Sequence, residues 1–419
     1  MIPLALEEVR GLVAGKLEGE GELTGVQIDS RRVRLGDLFV AVGRGAEYLA
    51  DARAAGAAAT LVPEDAPAAL AAIAGAVRQR SAATVVAITG STGKTSTKDI
   101  LAALCAPHRR TVAAEASFNN ELGVPLTLCR LEPDTEVCIV ELGMRGFGQI
   151  AGLCAFVHPQ IGLITHVGPV HLELVGSVEG VARAKAEVVA CLPPGGIAIA
   201  PVSPVLDLFL AREDVDVRRF DPAAVELAGG CGRFDVRGTA VELELPFTAR
   251  HQAENTLAAL YAYEALGLPL ARAQEGVAGI AFSPWRGEEL PLPGGGFVIN
   301  DAYNANPTSM RAALLHLCER AGDRRRVAIL GEMAELGEEA PRYHREIGAL
   351  LAELGVEVLV AVGTLARGYM EPGVETMRWL DRPEVFEDLI RPGDAVLVKA
   401  SRAAGLEGIA PALANEAVG

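Results

Sequence analysis

The sequence has no apolar run long enough to span a membrane, and its opening segment, MIPLALEEVRGL, has neither the basic nor the long apolar stretch of a secretory signal. Its seven cysteines include no CxxC pair, which argues against a zinc site or a disulfide framework. Positive charge is also scarce, since 38 Lys and Arg face 54 Asp and Glu and the net charge is −16. We therefore expect a cytoplasmic protein without a nucleic-acid-binding or membrane-embedded surface, whose cysteines are small buried side chains.

The length of 419 residues is too great for one ordinary core, so two or three domains are expected. Apolar strand patterns alternate with helix patterns along most of the chain, which predicts an α/β protein with a mostly parallel central sheet. We place a small N-terminal α/β domain at 1–82, a central domain at 83–292 and a C-terminal βα series at 293–419. The Pro- and Gly-rich segment PWRGEELPLPGGG, at 284–296, is expected to be a linker.

The stretch TVVAITGSTGKTSTKD, at 84–99, has the clearest chemical signal. An apolar strand, a glycine turn and a helix-compatible run follow one another, an order that directs backbone N–H groups and the positive end of a helix dipole at a phosphate. Lys94 would supply charge to the β- and γ-phosphates, and the Thr95 hydroxyl would lie where Mg²⁺ is usually held. Ile88 occupies the place of the first glycine of the full motif, so a tight turn with an incidental lysine is the alternative.

Polar side chains also follow two further predicted strands. Glu141 comes after the strand at 137–140, and His166 and His171 come after the strand at 160–165. Ligands in open α/β sheets gather at the carboxyl ends of strands, so Glu141 is a candidate Mg²⁺ ligand that His171 could join, although Mg²⁺ prefers oxygen. A solvated loop carboxylate is the alternative for Glu141, and the two histidines do not define a zinc site. Lys185, within the helix predicted over 177–191, is by itself a surface lysine.

Three other regions are polar enough to bind a ligand. The turn IDSRRVRLGD, at 28–37, is either an anchor for an anionic group or a solvated charged turn. The helix predicted over 247–266 is entered through His251 and Asn255, which could bond an adenine edge or cap the helix. In the C-terminal part, the loops DAYNANPTSM, GEMAELG and VKASR each follow a predicted strand, so we expect them to share one face.

Taken together, these segments resemble the Mur ligase superfamily of ATP-dependent amide-forming enzymes of peptidoglycan synthesis. The resemblance covers nearly the whole chain and rests on the following segments: TGSTGKTSTK, NNELGVPLTL, VELGMRGFGQI, HVGPVHLELVGSVEGVARAKAE, RHQAENTLAA, DAYNANPTSM, GEMAELG and VKASRAAGLE. The last four are most similar to the members that add D-alanyl-D-alanine to a UDP-N-acetylmuramoyl-tripeptide. Three positions depart from the usual pattern, namely His166, Gln252 and Ala400, where asparagine, asparagine and glycine are common.

The resemblance implies a role for each matching residue. ATP would be bound by the phosphate loop, an adenine-side helix and residues that close from the linker and C-terminal domain: Gly90, Ser91, Thr92, Gly93, Lys94, Thr95, Ser96, His251, Asn255, Arg286, Asp301 and Asn304. The implied Mg²⁺ ligands are Thr95, Glu141, His171 and Lys185, the last as a carbamate, and the catalytic groups are Lys94, Glu141, His171 and Lys185. The UDP-substrate would contact Ser30, Arg31, Asn119 and Asn120, and the dipeptide would contact Asn306 and Arg402.

The implied fold has an N-terminal domain for the UDP-substrate, a central P-loop-type ATPase domain and a Rossmann-like C-terminal domain. The implied reaction uses ATP and Mg²⁺ to convert the tripeptide carboxylate into an acyl phosphate, which the amine of D-alanyl-D-alanine then attacks. We expect a monomer. Two alternatives remain: a related ligase that adds a single amino acid to the muramyl peptide or glutamate to folate, and a P-loop switch that hydrolyses ATP without forming an amide.

Overall fold

The computed structural model describes residues 1–370, 372–383 and 389–416. Helices and strands alternate along the chain, and two six-stranded sheets dominate it, one central and one C-terminal. The predicted three-part α/β fold is confirmed. In the described residues no helix combines the length and apolar character needed to cross a membrane.

The N-terminal part is a four-stranded sheet, in the order β2-β6-β5-β4, beside a separate pair of short strands, β1 and β3. Its strands are β1 (Leu4–Ala5), β2 (Gly15–Gly19), β3 (Glu22–Leu23), β4 (Gly25–Gln27), β5 (Asp37–Val40) and β6 (Ala59–Pro63). Its helices are α1 (Leu6–Leu12), α2 (Leu49–Ala54) and α3 (Ala66–Arg80). The strands β2 and β4 were not predicted, because they are short, contain glycine and bury only one side chain each.

The central part is a parallel sheet in the order β12-β11-β10-β7-β9-β8. Its strands are β7 (Thr84–Thr89), β8 (Thr111–Ala113), β9 (Val137–Glu141), β10 (Ile161–Ile164), β11 (Ile197–Pro201) and β12 (Asp216–Phe220). Its helices are α4 (Lys94–Cys105), α5 (Gly123–Leu128), α6 (Gln149–Val157), α7 (Leu172–Val175), α8 (Val178–Ala190), α9 (Pro204–Asp207), α10 (Arg250–Ala265) and α11 (Gln274–Val277).

Successive residues of β7 pack into different cores, which explains the unbroken apolar character of this strand. Val85 and Ala87 belong to the core shared with α3, α6 and α8, whereas Val86 and Ile88 belong to the core shared with α4 and α10. A strand buried on both faces needs apolar residues at every position. The strand order therefore places β7 in the interior of the sheet, with the glycine loop at its carboxyl end.

An antiparallel three-stranded sheet interrupts the predicted alternation of strands and helices. It consists of β13 (Glu226–Ala228), β14 (Cys231–Val236) and β15 (Thr239–Glu244). The residues of β14 alternate between less exposed and exposed positions, and its buried Phe234 and Val236 join the core beneath α10. The sequence-based expectation of simple βα alternation is wrong for this stretch.

The C-terminal part is a six-stranded sheet in the order β16-β17-β21-β18-β19-β20. Its strands are β16 (Glu288–Pro291), β17 (Phe297–Asp301), β18 (Arg326–Gly331), β19 (Val358–Val362), β20 (Thr376–Leu380) and β21 (Ala395–Lys399), and its helices are α12 (Pro307–Ala321), α13 (Ala340–Glu353) and α14 (Ile409–Glu416). All neighbouring strands are parallel except β16, which runs antiparallel to β17. The segment predicted as a linker thus includes a strand, which tolerates proline because it lies at the sheet edge.

Candidate active site

A cleft of about 1090 Å³ lies between the central and C-terminal sheets. Loops from the carboxyl ends of β7, β9, β10, β17 and β21 contribute to its walls. The structure brings most of the predicted site residues to this cleft: Ser91, Thr92, Gly93, Lys94, Thr95, Ser96, Asn119, Asn120, Glu141, His171, Lys185, His251, Asn255, Arg286, Asp301, Asn304, Asn306 and Arg402. Gly90, Ser30 and Arg31 are the predicted residues that do not line it.

The phosphate loop requires its two glycines for space as well as for backbone conformation. Gly90 has a φ of +154°, and a Cβ atom there would lie 1.9 Å from the Thr165 hydroxyl oxygen. Gly93 has a φ of +80°, and a Cβ atom there would lie 2.2 Å from Asn255 Oδ1. Helix α4 begins directly after Gly93, so its unpaired N–H groups face the cleft, as a phosphate site needs.

Polar side chains from separate parts of the chain meet beside this loop. The Thr95 hydroxyl donates a hydrogen bond to Glu141 Oε2 at 2.8 Å, and Asn119 Nδ2 donates to Glu141 Oε1 at 2.7 Å. Arg286 donates from Nη2 to the Thr95 hydroxyl oxygen at 2.9 Å. Glu141 is 1% exposed, so this carboxylate is held by hydrogen bonds and is not the solvated loop carboxylate of the alternative interpretation.

Two lysines lie in the same region and differ in their hydrogen bonding. Lys94 donates to its own loop, at the Gly90 carbonyl oxygen, over 2.8 Å. Burial lowers its pKa, while the Glu141 carboxylate opposes that shift. Lys185 is 2% exposed, and within the described ranges its ammonium group forms neither a hydrogen bond nor an ion pair. The expectation of a surface lysine is wrong for Lys185, because the helix face that carries it packs inward, and burial together with the charge of Lys94 drives its pKa well below the usual value.

A contact between the two sides of the cleft fixes His171. Its Nδ1 atom is hydrogen bonded to Glu335, which comes from the GEMAELG loop after β18. Arg145 lies 3.2 Å from the other carboxylate oxygen of Glu335. Burial lowers the pKa of His171, whereas Glu335 raises it. In the part of the chain that the structure describes, no cluster of three or more His, Cys, Asp and Glu side chains is arranged for a metal ion.

The predicted adenine side lies at the start of α10. His251 is packed against His316 of α12, with ring centroids 6.0 Å apart, and burial lowers its pKa to about 4. Asn255 donates from Nδ2 to Gln252 Oε1 at 3.0 Å. Neither side chain caps the helix, because its N-terminal cap is Ala249, which makes no side-chain hydrogen bond. Local capping therefore does not explain the polar residues at this helix start.

The C-terminal loops are tied together by one buried lysine. Lys399 pairs with Asp301 at 2.5 Å and donates to the Asn304 carbonyl oxygen at 2.9 Å. Asn306 caps α12 and also reaches the phosphate loop, donating to the Ser91 carbonyl oxygen at 3.3 Å. Arg402 lies over the Trp285 ring, 4.3 Å from its centroid.

The predicted UDP-substrate residues of the N-terminal part lie apart from this cleft. The Arg31 guanidinium binds both carboxylate oxygens of Asp29, at 2.9 and 2.7 Å, and Ser30 begins the short helix that Asp29 caps. The neighbouring Arg32 connects the N-terminal and central parts through a 2.7 Å ion pair with Glu115.

Several residues that line the cleft had no predicted role, among them Glu335 and Tyr303. Glu335 and Tyr303 lie within GEMAELG and DAYNANPTSM, segments whose sequence pattern indicates a loop after a strand but assigns no role to these side chains. The available signal was their position after a predicted strand. Their partners come from distant parts of the chain, so spacing alone did not identify them.

The cleft combines a glycine loop at a helix start with a hydroxyl and carboxylate pair beside it, and a second α/β unit lies across from them. This arrangement is typical of an enzyme that acts on nucleotide phosphates. The family descriptions that match this chain are "Mur ligase middle domain", over residues 88–263, and "Mur ligase, glutamate ligase domain", over residues 286–402. The chain belongs to the Mur ligase family.

Individual relatives and structures support the same assignment. The UDP-N-acetylmuramoyl-tripeptide–D-alanyl-D-alanine ligase of Synechocystis is 34% identical, over 93% of this chain and 91% of the relative. A crystal structure of MurF from Acinetobacter baumannii superposes with a TM-score of 0.85 at 26% identity, covering 99% of both chains. The MurF ligase of Thermotoga maritima in complex with ADP superposes with a TM-score of 0.79 at 25% identity, covering 94% of this chain and 98% of that one.

Proposed function

We propose that this protein is an ATP-dependent ligase that joins D-alanyl-D-alanine to UDP-N-acetylmuramoyl-tripeptide and forms the UDP-linked pentapeptide. The observation that carries the proposal is the composition of the cleft, in which the phosphate loop faces the two C-terminal loops that contain Asn306 and Arg402. A P-loop switch would not require the second wall. The names of the similar proteins support the dipeptide in preference to a single amino acid.

The residues beside the phosphate loop suit Mg²⁺. Thr95 and Glu141 supply hydroxyl and carboxylate oxygens within 2.8 Å of each other, which matches the preference of Mg²⁺ for a few oxygen ligands completed by phosphates and water. His171 and a carbamate on Lys185 are the further ligands that we propose. When bound, the ion would act as a Lewis acid that offsets charge between the phosphates and the substrate carboxylate.

The protein's own groups explain how phosphoryl transfer and amide formation would proceed. The N–H groups at the start of α4 and the Lys94 ammonium would hold the γ-phosphate of ATP and stabilise its developing charge. The tripeptide carboxylate attacks this phosphate and becomes an acyl phosphate, with ADP as the leaving group. The dipeptide amine then attacks the acyl carbon, and inorganic phosphate leaves from the tetrahedral intermediate.

The substrates would approach this centre from opposite sides. Arg402 would bind the dipeptide carboxylate through a charge-assisted hydrogen bond, with Asn306 beside it. Asn119 and Asn120 would contact the sugar-peptide, and Ser30 and Arg31 would hold the uridine nucleotide. Closure of the C-terminal loops would keep water from the acyl phosphate, which otherwise hydrolyses. We further propose that the enzyme acts as a monomer in the cytoplasm.

The experiment that tests this function measures phosphate release from ATP with Mg²⁺ and UDP-N-acetylmuramoyl-tripeptide, with mass detection of the product. D-alanyl-D-alanine, single amino acids or no acceptor are added in parallel reactions. We expect turnover that requires the dipeptide and yields the pentapeptide product. Turnover with a single amino acid would instead assign another ligase reaction, and phosphate release that needs neither substrate would favour the switch.

A further inference from the structure

Tyr303, in the loop after β17, connects the C-terminal wall of the cleft to a loop of the central wall and to the segment that joins the two parts of the chain. Its hydroxyl is hydrogen bonded to the Ser117 hydroxyl. The Arg286 guanidinium carbon lies over its ring, 3.8 Å from the ring centroid, which is a close cation–π contact. One side chain therefore holds both a loop of the central part and the arginine that precedes β16.

The position of Arg286 depends on this ring. Its Nη2 atom donates to the Thr95 hydroxyl oxygen at 2.9 Å, while its Nε atom is buried and has no hydrogen-bond partner among the described residues. A guanidinium without a bidentate carboxylate partner is only partly oriented by its one hydrogen bond. The Tyr303 ring supplies the remaining restraint, and through Arg286 it acts on the hydroxyl beside the phosphate loop.

Helix α4 anchors the two segments that Tyr303 joins. Lys98 is 2% exposed and donates to the carbonyl oxygens of Ala114 and Ala116, at 2.7 and 2.8 Å, which fixes the loop just before Ser117. The adjacent Asp99 accepts from the backbone N–H and the hydroxyl of Ser283, both at 2.9 Å, which fixes the segment leading to Arg286. Both segments are thus held by the helix that begins at the phosphate loop, and Tyr303 contacts both of them from the C-terminal wall.

We infer that Tyr303 and Ser117 are positioning residues for phosphoryl transfer. Their contact couples the docking of the loop after β17 against the central part to the alignment of Arg286 on the Thr95 hydroxyl. This inference rests on the proposed function. When the loop is in place, Arg286 is fixed beside the phosphate loop and the site is covered. When the loop after β17 is not in place, ATP still binds to the backbone of the phosphate loop, but the Arg286 guanidinium is no longer held beside Thr95.

The test compares Tyr303→Phe, Ser117→Ala and the double variant, measuring kcat, the KM for ATP and the ratio of phosphate released to amide product. Either single change removes the hydroxyl bond but leaves the cation–π ring in place. We expect each to lower kcat about two- to tenfold, the range for one net hydrogen bond, with the KM for ATP changed by less than about twofold. The phosphate-to-product ratio should rise, because water reaches the acyl phosphate. The double variant should be no worse than either single one, since the same bond is lost.

Tyr303→Leu also removes the ring and should lower kcat further, by about tenfold or more. Tyr343→Phe is the matched control, because Tyr343 also lies under an arginine, Arg342 at 4.4 Å, but on α13 and away from the cleft. Thermal unfolding of every variant identifies those that lose structure.

An unchanged phosphate-to-product ratio would overturn the inference, as would additive losses in the double variant or a lowered melting temperature without a kinetic change. The wild-type reaction distinguishes a failure of the proposed function from a failure of this inference. If the wild type forms no pentapeptide, the proposed function fails and this inference fails with it, whereas a productive wild type with indifferent variants overturns the inference alone.

Discussion

The two walls of the cleft are stabilised in different ways. On the central wall, Thr95 and Asn119 both donate to the Glu141 carboxylate, at 2.8 and 2.7 Å, and all three residues belong to the central part of the chain. On the C-terminal wall, Tyr303 and Glu335 find their partners across the cleft, at Ser117 and His171. The central wall can therefore be organised before substrates bind, whereas the C-terminal wall completes the site only when the two parts meet.

This difference predicts two kinds of defect. Changes on the central wall should remove charge stabilisation in the transition state and lower kcat strongly. Changes on the C-terminal wall should weaken closure, with smaller losses and more release of phosphate without product.

The largest effect is expected for Lys94→Ala, on the central wall. Lys94 is the cation of the phosphate loop, and removing one preorganised charge from developing phosphoryl charge costs about a hundred- to a thousandfold in kcat. Phosphate release at saturating ATP measures it. Lys16→Ala serves as the control, because the Lys16 side chain is 74% exposed in the N-terminal sheet. Retention of more than about a tenth of the wild-type kcat would contradict the assigned role.

Glu141→Ala should raise the Mg²⁺ concentration needed for half-maximal activity or abolish turnover. The change removes the acceptor that organises both the Thr95 hydroxyl and the Asn119 amide. A Mg²⁺ titration of activity measures the effect, and Glu179→Ala, on the exposed side of α8, is the control. An unchanged Mg²⁺ dependence would remove Glu141 from the proposed metal site.

Lys185→Ala should lose most activity, and excess formate or acetate should restore part of it. Burial and the nearby charge of Lys94 lower the pKa of Lys185, which favours the uncharged amine, the form that reacts with CO₂ to give a carbamate. Added carboxylate would replace that anion in the space left by the side chain. Lys185→Arg, which keeps a positive charge and cannot form the carbamate, should be inactive with and without formate. A fully active alanine variant would rule out this role.

The predictability of the two walls also differs. The phosphate loop, Glu141 and the helix of Lys185 could be predicted because each signal lies within about twenty consecutive residues, where strand, turn and helix chemistry is local. The burial of Lys185 could not, because it depends on which face of α8 packs against the sheet. Glu335 and Tyr303 were missed for a related reason, since their partners lie 164 and 186 positions away. The strand β16 was missed because a proline-rich edge strand resembles a linker.

Glu335→Gln should have a smaller effect than the central-wall variants. The substitution keeps the shape of the side chain but removes the charge that faces His171 and Arg145. Because both contacts are partly exposed, we expect about a two- to fivefold fall in kcat/KM for the dipeptide, with a higher phosphate-to-product ratio. Glu338→Gln, on the same loop but exposed, provides the matched control. A loss as large as that of Glu141→Ala would mean that Glu335 acts directly on the reacting groups.

The smallest effect concerns acid stability. Burial lowers the pKa of His166 and of His251 from 6.5 to about 4, so between these values the unfolded chain binds protons that the folded chain does not. Stability is then fully present above pH 6.5 and is lost as the pH falls toward 4, by on the order of 1–2 kcal/mol per histidine between pH 7 and 5. Urea denaturation midpoints of His166→Asn and His251→Gln should fall less on acidification than the wild-type midpoint, with His158→Asn, an exposed position, as the control.

His166 belongs to the central wall, whereas His251 faces Asp301, His316 and Lys399 of the other part. An acid effect removed by His251→Gln but not by His166→Asn would show that low pH acts mainly on the contact between the walls, and an effect untouched by both would contradict the assignment of the protons.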